Sequence, residues 1–231
     1  SRSVRSLDKL TGKELWKSAA DLLELSYGTP KVVATEDGPE IVLAVPEEVW
    51  SLNPANGKLK WYCVTSLTGN ITPSVGHHDG ILYVYGGFRG AGSLAIRAGG
   101  KGDVTDSGVV WSSRDSSYVA TPVLHDGHLF WIDDRGVAWC ADAKTGKNVY
   151  RERLVTAGGG RPIYSSPILS DGKLYCVSRW DGTYVLAATP EFKQIAHNEI
   201  SGDESDFNAS PAMSDGQIFL RSDRMLYCVG E

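Results

Sequence analysis

The sequence predicts an all-β fold, a β-propeller of four-stranded antiparallel blades, and three observations carry that expectation. A Thr-Pro or Ser-Pro pair recurs at Pro30, Pro73, Pro122, Pro167 and Pro211, with separations of 43, 49, 45 and 44 residues. Each pair precedes an Asp-Gly turn, at Asp37-Gly38, Asp79-Gly80, Asp126-Gly127, Asp171-Gly172 and Asp215-Gly216, and then a short apolar run. No stretch sustains a 3.6-residue apolar period, so helices should be short or absent. A repeat of about 40–50 residues built from strands and turns is the signature of propeller blades.

Residues 118–153 show one repeat in full. Tyr118 to Leu124 reads as a first strand, with Pro122 near an end where a missing N–H is tolerated. His125 to His128 forms a tight hairpin in which glycine supplies positive φ. Leu129 to Ile132 is the second strand, apolar because both faces meet neighbouring blades. Val137 to Asp142 is the third, and a hairpin through Lys144 and Gly146 leads to a fourth through Val149, Tyr150 and Arg151. The second repeat carries extra loops, Gly86 to Gly92 and Gly99 to Gly108, read as flexible hairpin insertions. They resemble phosphate loops only superficially, since neither fits G-x-x-x-x-G-K-[ST].

The chain opens on a third strand (Ser3 to Asp8) and a fourth (Glu14 to Lys17), and closes on a third. The expected total is twenty-one strands, about five blades and one extra strand. That count fits a single domain spanning 1–231 that forms the C-terminal part of a longer propeller, the alternative being a five-bladed ring with its first strand packed at an edge. Open edges in such a piece invite pairing with another chain.

Residues 6–16 read S-L-D-K-L-T-G-K-E-L-W, residues 51–61 read S-L-N-P-A-N-G-K-L-K-W, and residues 140–150 give C-A-D-A-K-T-G-K-N-V-Y. Asp8, Asn53 and Asp142 are placed to cap a turn, and Gly12, Gly57 and Gly146 to follow it in the left-handed region. Trp16, Trp61 and Tyr150, with Trp111 ending a fourth copy, then fall on the outer strand, where a large ring lies across the next blade. This pattern resembles the tryptophan-docking motif of the pyrroloquinoline-quinone-repeat (PQQ-like) propellers. That superfamily includes quinoprotein alcohol dehydrogenases and the propeller lipoprotein of the outer-membrane barrel-assembly machine. The resemblance implies that the chain is part of a seven- or eight-bladed ring, and that the protein is extracytoplasmic, periplasmic or secreted. Alcohol-oxidising relatives often carry adjacent cysteines against the quinone, and this chain has no Cys-Cys pair and no assignable Ca²⁺ ligand set. The expectation is therefore a non-catalytic scaffold without a cofactor. The alternatives are a quinoprotein oxidoreductase using PQQ with Ca²⁺, and a carbohydrate- or peptide-binding module.

In a propeller, the loops entering the first strand and those joining strands two and three share one face. The entering loops carry Tyr27, Asn70, Tyr118, Tyr164 and Asn208. The two-to-three loops carry Arg89, Arg135, Arg179, Trp180, Arg221 and Arg224, among Asp133, Asp134, Asp181 and Asp223. One reading makes this rim the partner or ligand surface, its arginines suited to a carboxylate or phosphate and its aromatic rings to a sugar or peptide. The other has Arg and Asp pairing across adjacent loops to hold the blades in register.

The remaining features bound the answer. A net charge of −5 and a pI near 5.6 disfavour nucleic acid, which needs a basic surface. No apolar run approaches the roughly 18 residues of a membrane span, and the expected partner is a protein or a small anionic or carbohydrate ligand. Cys63, Cys140, Cys176 and Cys228 form no C-x-x-C pair and read as buried thiols, with one disulfide the alternative. His77, His78, His125 and His128 flank Asp-Gly turns without a metal-ligand spacing, so no metal is expected. No G-x-S-x-G elbow is present. The sequons at Asn70 and Asn208 coincide with the entering turn of the repeat.

Overall fold

In the computed structural model, which describes residues 2–156 and 160–230, the chain divides into two compact units, 1–118 and 119–231. Both are built from antiparallel meanders, joined in the first unit by one short strand that pairs in parallel. The first unit starts with a hairpin, Ser3–Leu7 against Glu14–Ala19, and a 3-10 turn at Asp21–Leu25. A sheet of Lys31–Thr35, Gly38–Val45, Glu48–Leu52 and Leu59–Val64 follows. The next holds Gly76–His78, Ile81–Gly86, Gly92–Arg97 and Val109–Ser113. The second unit contains Val123–His125, His128–Ile132, Val137–Asp142 and Asn148–Arg153 in one sheet. Ile168–Ser170, Lys173–Val177, Thr183–Ala187 and Gln194–Asn198 form another, and Ala212–Ser214, Gln217–Arg221 and Leu226–Val229 a three-stranded one.

Apolar residues on both faces of the inner strands explain how the sheets stack. In the first unit Val42, Ala44, Val49, Trp61 and Cys63 of one sheet share a core with Leu82, Val84, Leu94 and Ile96 of the next. In the second unit Phe130, Ile132, Ala138 and Cys140 pack with Leu174, Cys176, Tyr184 and Leu186. Leu23 joins the opening hairpin to this stacking through Leu43, Val45 and Leu52, with Val4 alongside.

The recurring Ser/Thr-Pro pair has a structural cause. Thr121 N–H donates to Ser166 Oγ at 2.9 Å, and Ser166 N–H donates to Ser210 Oγ at 2.8 Å. Each residue before the proline thus bonds to its counterpart in the following repeat. In the first unit Thr29 N–H also reaches the following repeat, but at Ser74 Oγ, one residue after Pro73, at 3.0 Å. This linkage leaves the entering segment outside the sheet, so the first strand of the 118–153 repeat is Val123–His125, shorter than the expected Tyr118 to Leu124. The Asp-Gly turns at Asp79, Asp126, Asp171 and Asp215 have positive φ at both residues, the backbone of a type I′ hairpin.

Three expectations need correction. The stretch Gly99 to Gly108 is no flexible insertion. Gly102–Asp103 pairs in parallel with Trp61 and Tyr62 of the preceding sheet, giving the described residues twenty-two strands. A turn of helix at Thr105–Gly108 follows, and Thr105 Oγ1 accepts Val64 N–H at 2.9 Å. The buried side chain of Val104 anchors this clasp. Gly86 to Gly92 is likewise held, because Phe88 N–H donates to Thr68 O and Gly90 N–H to Thr68 Oγ1, at 2.9 and 2.7 Å. Among the thiols, Cys63, Cys140 and Cys176 are buried and free, whereas Cys228 is free and exposed on the outer strand of the last sheet. Burial pushes the Cys63 thiol up to about 11 and that of Cys140 to about 12, so neither is a thiolate at neutral pH.

Candidate functional site

The turns expected to cap and dock are the framework of the site. Asp8 Oδ1 accepts Leu10 N–H and Thr11 N–H at 3.1 and 2.8 Å. Asn53 Oδ1 accepts Ala55 N–H at 2.8 Å, and Asp142 Oδ1 accepts Thr145 N–H at 2.8 Å. Gly12, Gly57 and Gly146 follow with φ of 72°, 70° and 70°. The Trp16 indole crosses to the next repeat, where Nε1 donates to Pro54 O at 2.7 Å. Its ring lies so close over Gly57 that a Cβ there would meet Trp16 Cε3 at 2.5 Å. Tyr150 meets the next repeat edge-on at Phe192, with ring centroids 5.6 Å apart.

Trp61 is fully buried and turns its N–H inward instead, donating to Glu40 Oε2 at 2.8 Å. Glu40 is itself fully buried. It also accepts Ser51 Oγ–H at 2.9 Å, and Lys60 Nζ stands 2.6 Å from Oε1 as an ion pair poorly aligned for a hydrogen bond. Trp111 tilts against Tyr83 at 6.3 Å.

Four of the rim residues converge in the second unit. The Arg179 guanidinium lies 4.7 Å from the ring centroids of both Tyr164 and Trp180. Arg179 Nε donates to Asn208 Oδ1 at 2.7 Å, and Nη2 donates to Asp206 Oδ2 at 2.5 Å. The other oxygen of Asp206 accepts the Trp180 indole N–H at 2.9 Å. Backbone bonds seat the cluster: Arg179 N–H on Pro162 O, Phe207 N–H on Arg179 O and Asp223 N–H on Asp206 O. Trp180 remains 44% exposed.

The other rim residues stay outside this cluster. Arg221 and Arg224 are exposed on the turn that Asp223 ties to it, and Arg135 is exposed beside the Asp134–Arg161 ion pair of 3.1 Å. In the first unit Tyr118 packs against Phe88 at 5.1 Å beside exposed Arg89. Tyr27 is exposed, its N–H bonded to Ile71 O next to half-buried Asn70. Sequence reasoning missed Asp206, which organises the whole cluster. The signal was available, as an acidic residue two positions before Asn208 in an entering loop that faces an arginine.

Asp203 sits on the same loop and locks the last sheet. Oδ1 accepts Ser205 N–H and Oγ–H, while Oδ2 accepts Ser222 Oγ–H at 2.6 Å and Tyr227 OH at 2.7 Å. The hydroxyl of Ser205 first, then those of Ser222 and Tyr227, hold the carboxyl well below the usual carboxylate range. A depressed carboxyl adds stability above its unfolded pKa of about 4, lost as pH falls through the folded value. Asp203→Asn is therefore expected to loosen Gln217–Arg221 at neutral pH and to flatten its acid sensitivity below about pH 4. Amide exchange of that strand measured across pH would check both effects.

Polar atoms of Asp181, His197 and Glu199 lie within 4.8 Å of one another. His197 Nε2 bonds to Asp181 O, and Tyr184 stacks on the His197 ring at 4.4 Å while donating to Asp181. Asp181 and His197 are thus tied to each other and to Tyr184, and His197 is not among the four histidines weighed from sequence.

Residues 102–192 match the family described as outer membrane protein assembly factor BamB. The structure of BamB from Moraxella catarrhalis superposes with a TM-score of 0.76 over 99% of this chain, at 12% identity.

The chain has a β-propeller fold.

The computationally designed protein Ika8 shares the propeller fold at a TM-score of 0.64, 11% identity, 95% of this chain and 62% of its own. BBS1N, solved in complex with ARL6DN, does so at 0.63, 10% identity, 96% and 68%. This propeller spans 66% of the length of the Moraxella structure. No curated protein matches it by sequence. No helix of its described residues is long and apolar enough to cross a membrane.

Proposed function

We propose that this propeller is a non-catalytic binding or assembly scaffold working outside the cytoplasm, with a protein partner docking on the rim around Trp180. The observation that carries the reading is the Tyr164–Arg179–Trp180 stack, fixed by Asp206 and Asn208 while Trp180 stays partly exposed. Arg179 already spends Nε and Nη2 inside the protein, so a small free anion would have to displace Asp206. A rigid aromatic-cation platform suits a protein surface better, since Trp, Tyr and Arg dominate interface hot spots. The match of residues 102–192 to an outer-membrane assembly factor supports the same class of partner, a component of the cell envelope.

The experiment places a photo-crosslinking amino acid at Arg224, beside the platform, and separately at Asp126, in a hairpin at the opposite end of its sheet. Envelope extracts should give one discrete adduct from Arg224 and none from Asp126. In Arg179→Ala and Trp180→Ala backgrounds the adduct should fall by about thirtyfold, a hot-spot loss near 2 kcal/mol. Equal adducts from both positions, or an adduct that survives both substitutions, would defeat the proposal. Alcohol turnover with added pyrroloquinoline quinone and Ca²⁺ would replace it with the oxidoreductase reading.

A further inference from the structure

The first unit holds a cleft of about 510 Å³ between the sheet of residues 31–64 and that of residues 76–113. Leu67, Leu94 and Val109 form its apolar floor. Ser112 pairs with Leu94 and Val109 with Ile96, so these side chains share the face that packs on the preceding sheet. The walls carry the hydroxyl groups of Thr65, Ser66 and Ser112, and Arg114 completes the lining. Thr65 Oγ1 accepts Leu67 N–H at 3.2 Å and keeps its own proton to donate. Ser66, Ser112 and Arg114 are exposed. No ion pair among the described residues engages Arg114, and the lining has no Asp, Glu or Lys.

The loops that lengthen this repeat to 49 residues, against 43 to 45 in the others, border the cleft. Ala91 and Gly92 end the first loop, and Val109 follows the second. Both loops are held, since Thr68 N–H donates to Gly90 O at 2.9 Å and Gly108 N–H to Val104 O at 2.7 Å. Gly92 is packed so closely that a Cβ there would meet Ser113 O at 2.8 Å. The backbone around the cleft is thus fixed before any ligand arrives, which lowers the ordering cost of binding.

We propose that this cleft binds an acidic monosaccharide, a uronate, with its carboxylate on Arg114 and its hydroxyl groups on Thr65, Ser66 and Ser112. One guanidinium and no other cation matches a single carboxylate, which it grips through two parallel N–H bonds. Serine and threonine hydroxyls both donate and accept, as sugar hydroxyls do. The apolar floor takes the C–H face of the sugar ring. No aromatic side chain lines the cleft, so a nucleotide or an aromatic acid gains no stacking there. The volume lies in the ordinary range of small-molecule sites. The site belongs wholly to the first unit and shares no residue with the Trp180 platform.

The probe is methyl β-D-glucuronide, titrated into the 231-residue chain and followed by backbone amide chemical shifts. The controls are methyl β-D-glucoside, which replaces the carboxylate by a hydroxymethyl group, and acetate, which lacks the ring. The uronide should bind about tenfold or more tighter than either control. It should also shift the amides of Ser66, Ser112 and Arg114. Arg114→Gln should lower its affinity to the glucoside value, and Ser112→Trp, which fills the cleft from an exposed position, should abolish binding. Trp180→Ala should leave it unchanged, so failure of this site and failure of the docking platform are read separately. Equal affinity for the uronide and either control, no binding up to about 5 mM, or shifts confined to other residues would each overturn the proposal. Unchanged binding in the Arg114 and Ser112 variants, or its loss in Trp180→Ala, would do the same.

Discussion

Replacing Trp61 with Ala is expected to destabilise this propeller by roughly 3–5 kcal/mol, and replacing Glu40 with Ala by a similar amount. Trp61 is among the largest fully buried side chains, in a core shared by two sheets, so truncation leaves a cavity that neighbouring strands cannot close. Glu40 acts differently. Its removal leaves the Trp61 N–H and the Lys60 ammonium, only 20% exposed, without their acceptor in a buried setting. Breaking one half of such a pair is far worse than never having had it. Glu40→Gln should be milder, because the amide oxygen still accepts from Trp61 while the ion pair is lost. The two Ala substitutions share one hydrogen bond, so the double variant should lose less than the two losses added together. Urea unfolding followed by tryptophan fluorescence measures all four proteins. A Glu40→Ala loss within about 0.5 kcal/mol of zero, the range of ordinary surface changes, would contradict this account.

Much of the fold was legible because its signals are local. The Asp-Gly hairpins and the apolar runs between them are set by backbone conformations that few residues adopt, so their positions survive translation into structure almost unchanged. Val137–Asp142 forms as read, and the first and fourth strands of the same repeat shift by a few residues. The Gly102–Asp103 clasp was not legible. Two residues that pair in parallel with a strand forty positions earlier leave no periodic trace. Glycine-rich composition there suggested flexibility, while Val104 and Thr105 supply the anchoring.

The site divides along the same line. Tyr164, Arg179, Trp180 and Asn208 were visible as positions recurring at fixed offsets from the repeat. Their convergence was not, because it depends on Asp206 reaching Arg179 from the following entering loop. Arg221 and Arg224 share the offset without joining the stack, since no equivalent carboxylate draws them in among the described residues. Likewise Trp61 matches Trp16 in sequence, yet its N–H finds Glu40 within its own sheet.

The repeat also allows one residue type to be compared in two settings, Gly57 and Gly12. Their backbones are nearly identical, with φ of 70° and 72°, in turns capped by Asn53 and Asp8. A Cβ at Gly57 would run into the Trp16 ring at 2.5 to 3.0 Å, whereas at Gly12 it meets nothing within 4 Å. Gly12→Ala should therefore show only the left-handed penalty of an L residue, about 1–2 kcal/mol. Gly57→Ala should add the displacement of a packed indole, a further 1–3 kcal/mol or so, together with loss of the bond to Pro54 O. Because the extra term comes from the ring, it should vanish in a Trp16→Leu background, where Gly57→Ala falls to the Gly12→Ala value. Chemical denaturation of the three single variants and the Trp16→Leu/Gly57→Ala double gives the comparison. Equal losses at the two glycines would mean that the ring slides aside freely. Docking across the repeats would then rest on the apolar sheet faces, and the conserved geometry of the turn would need another explanation.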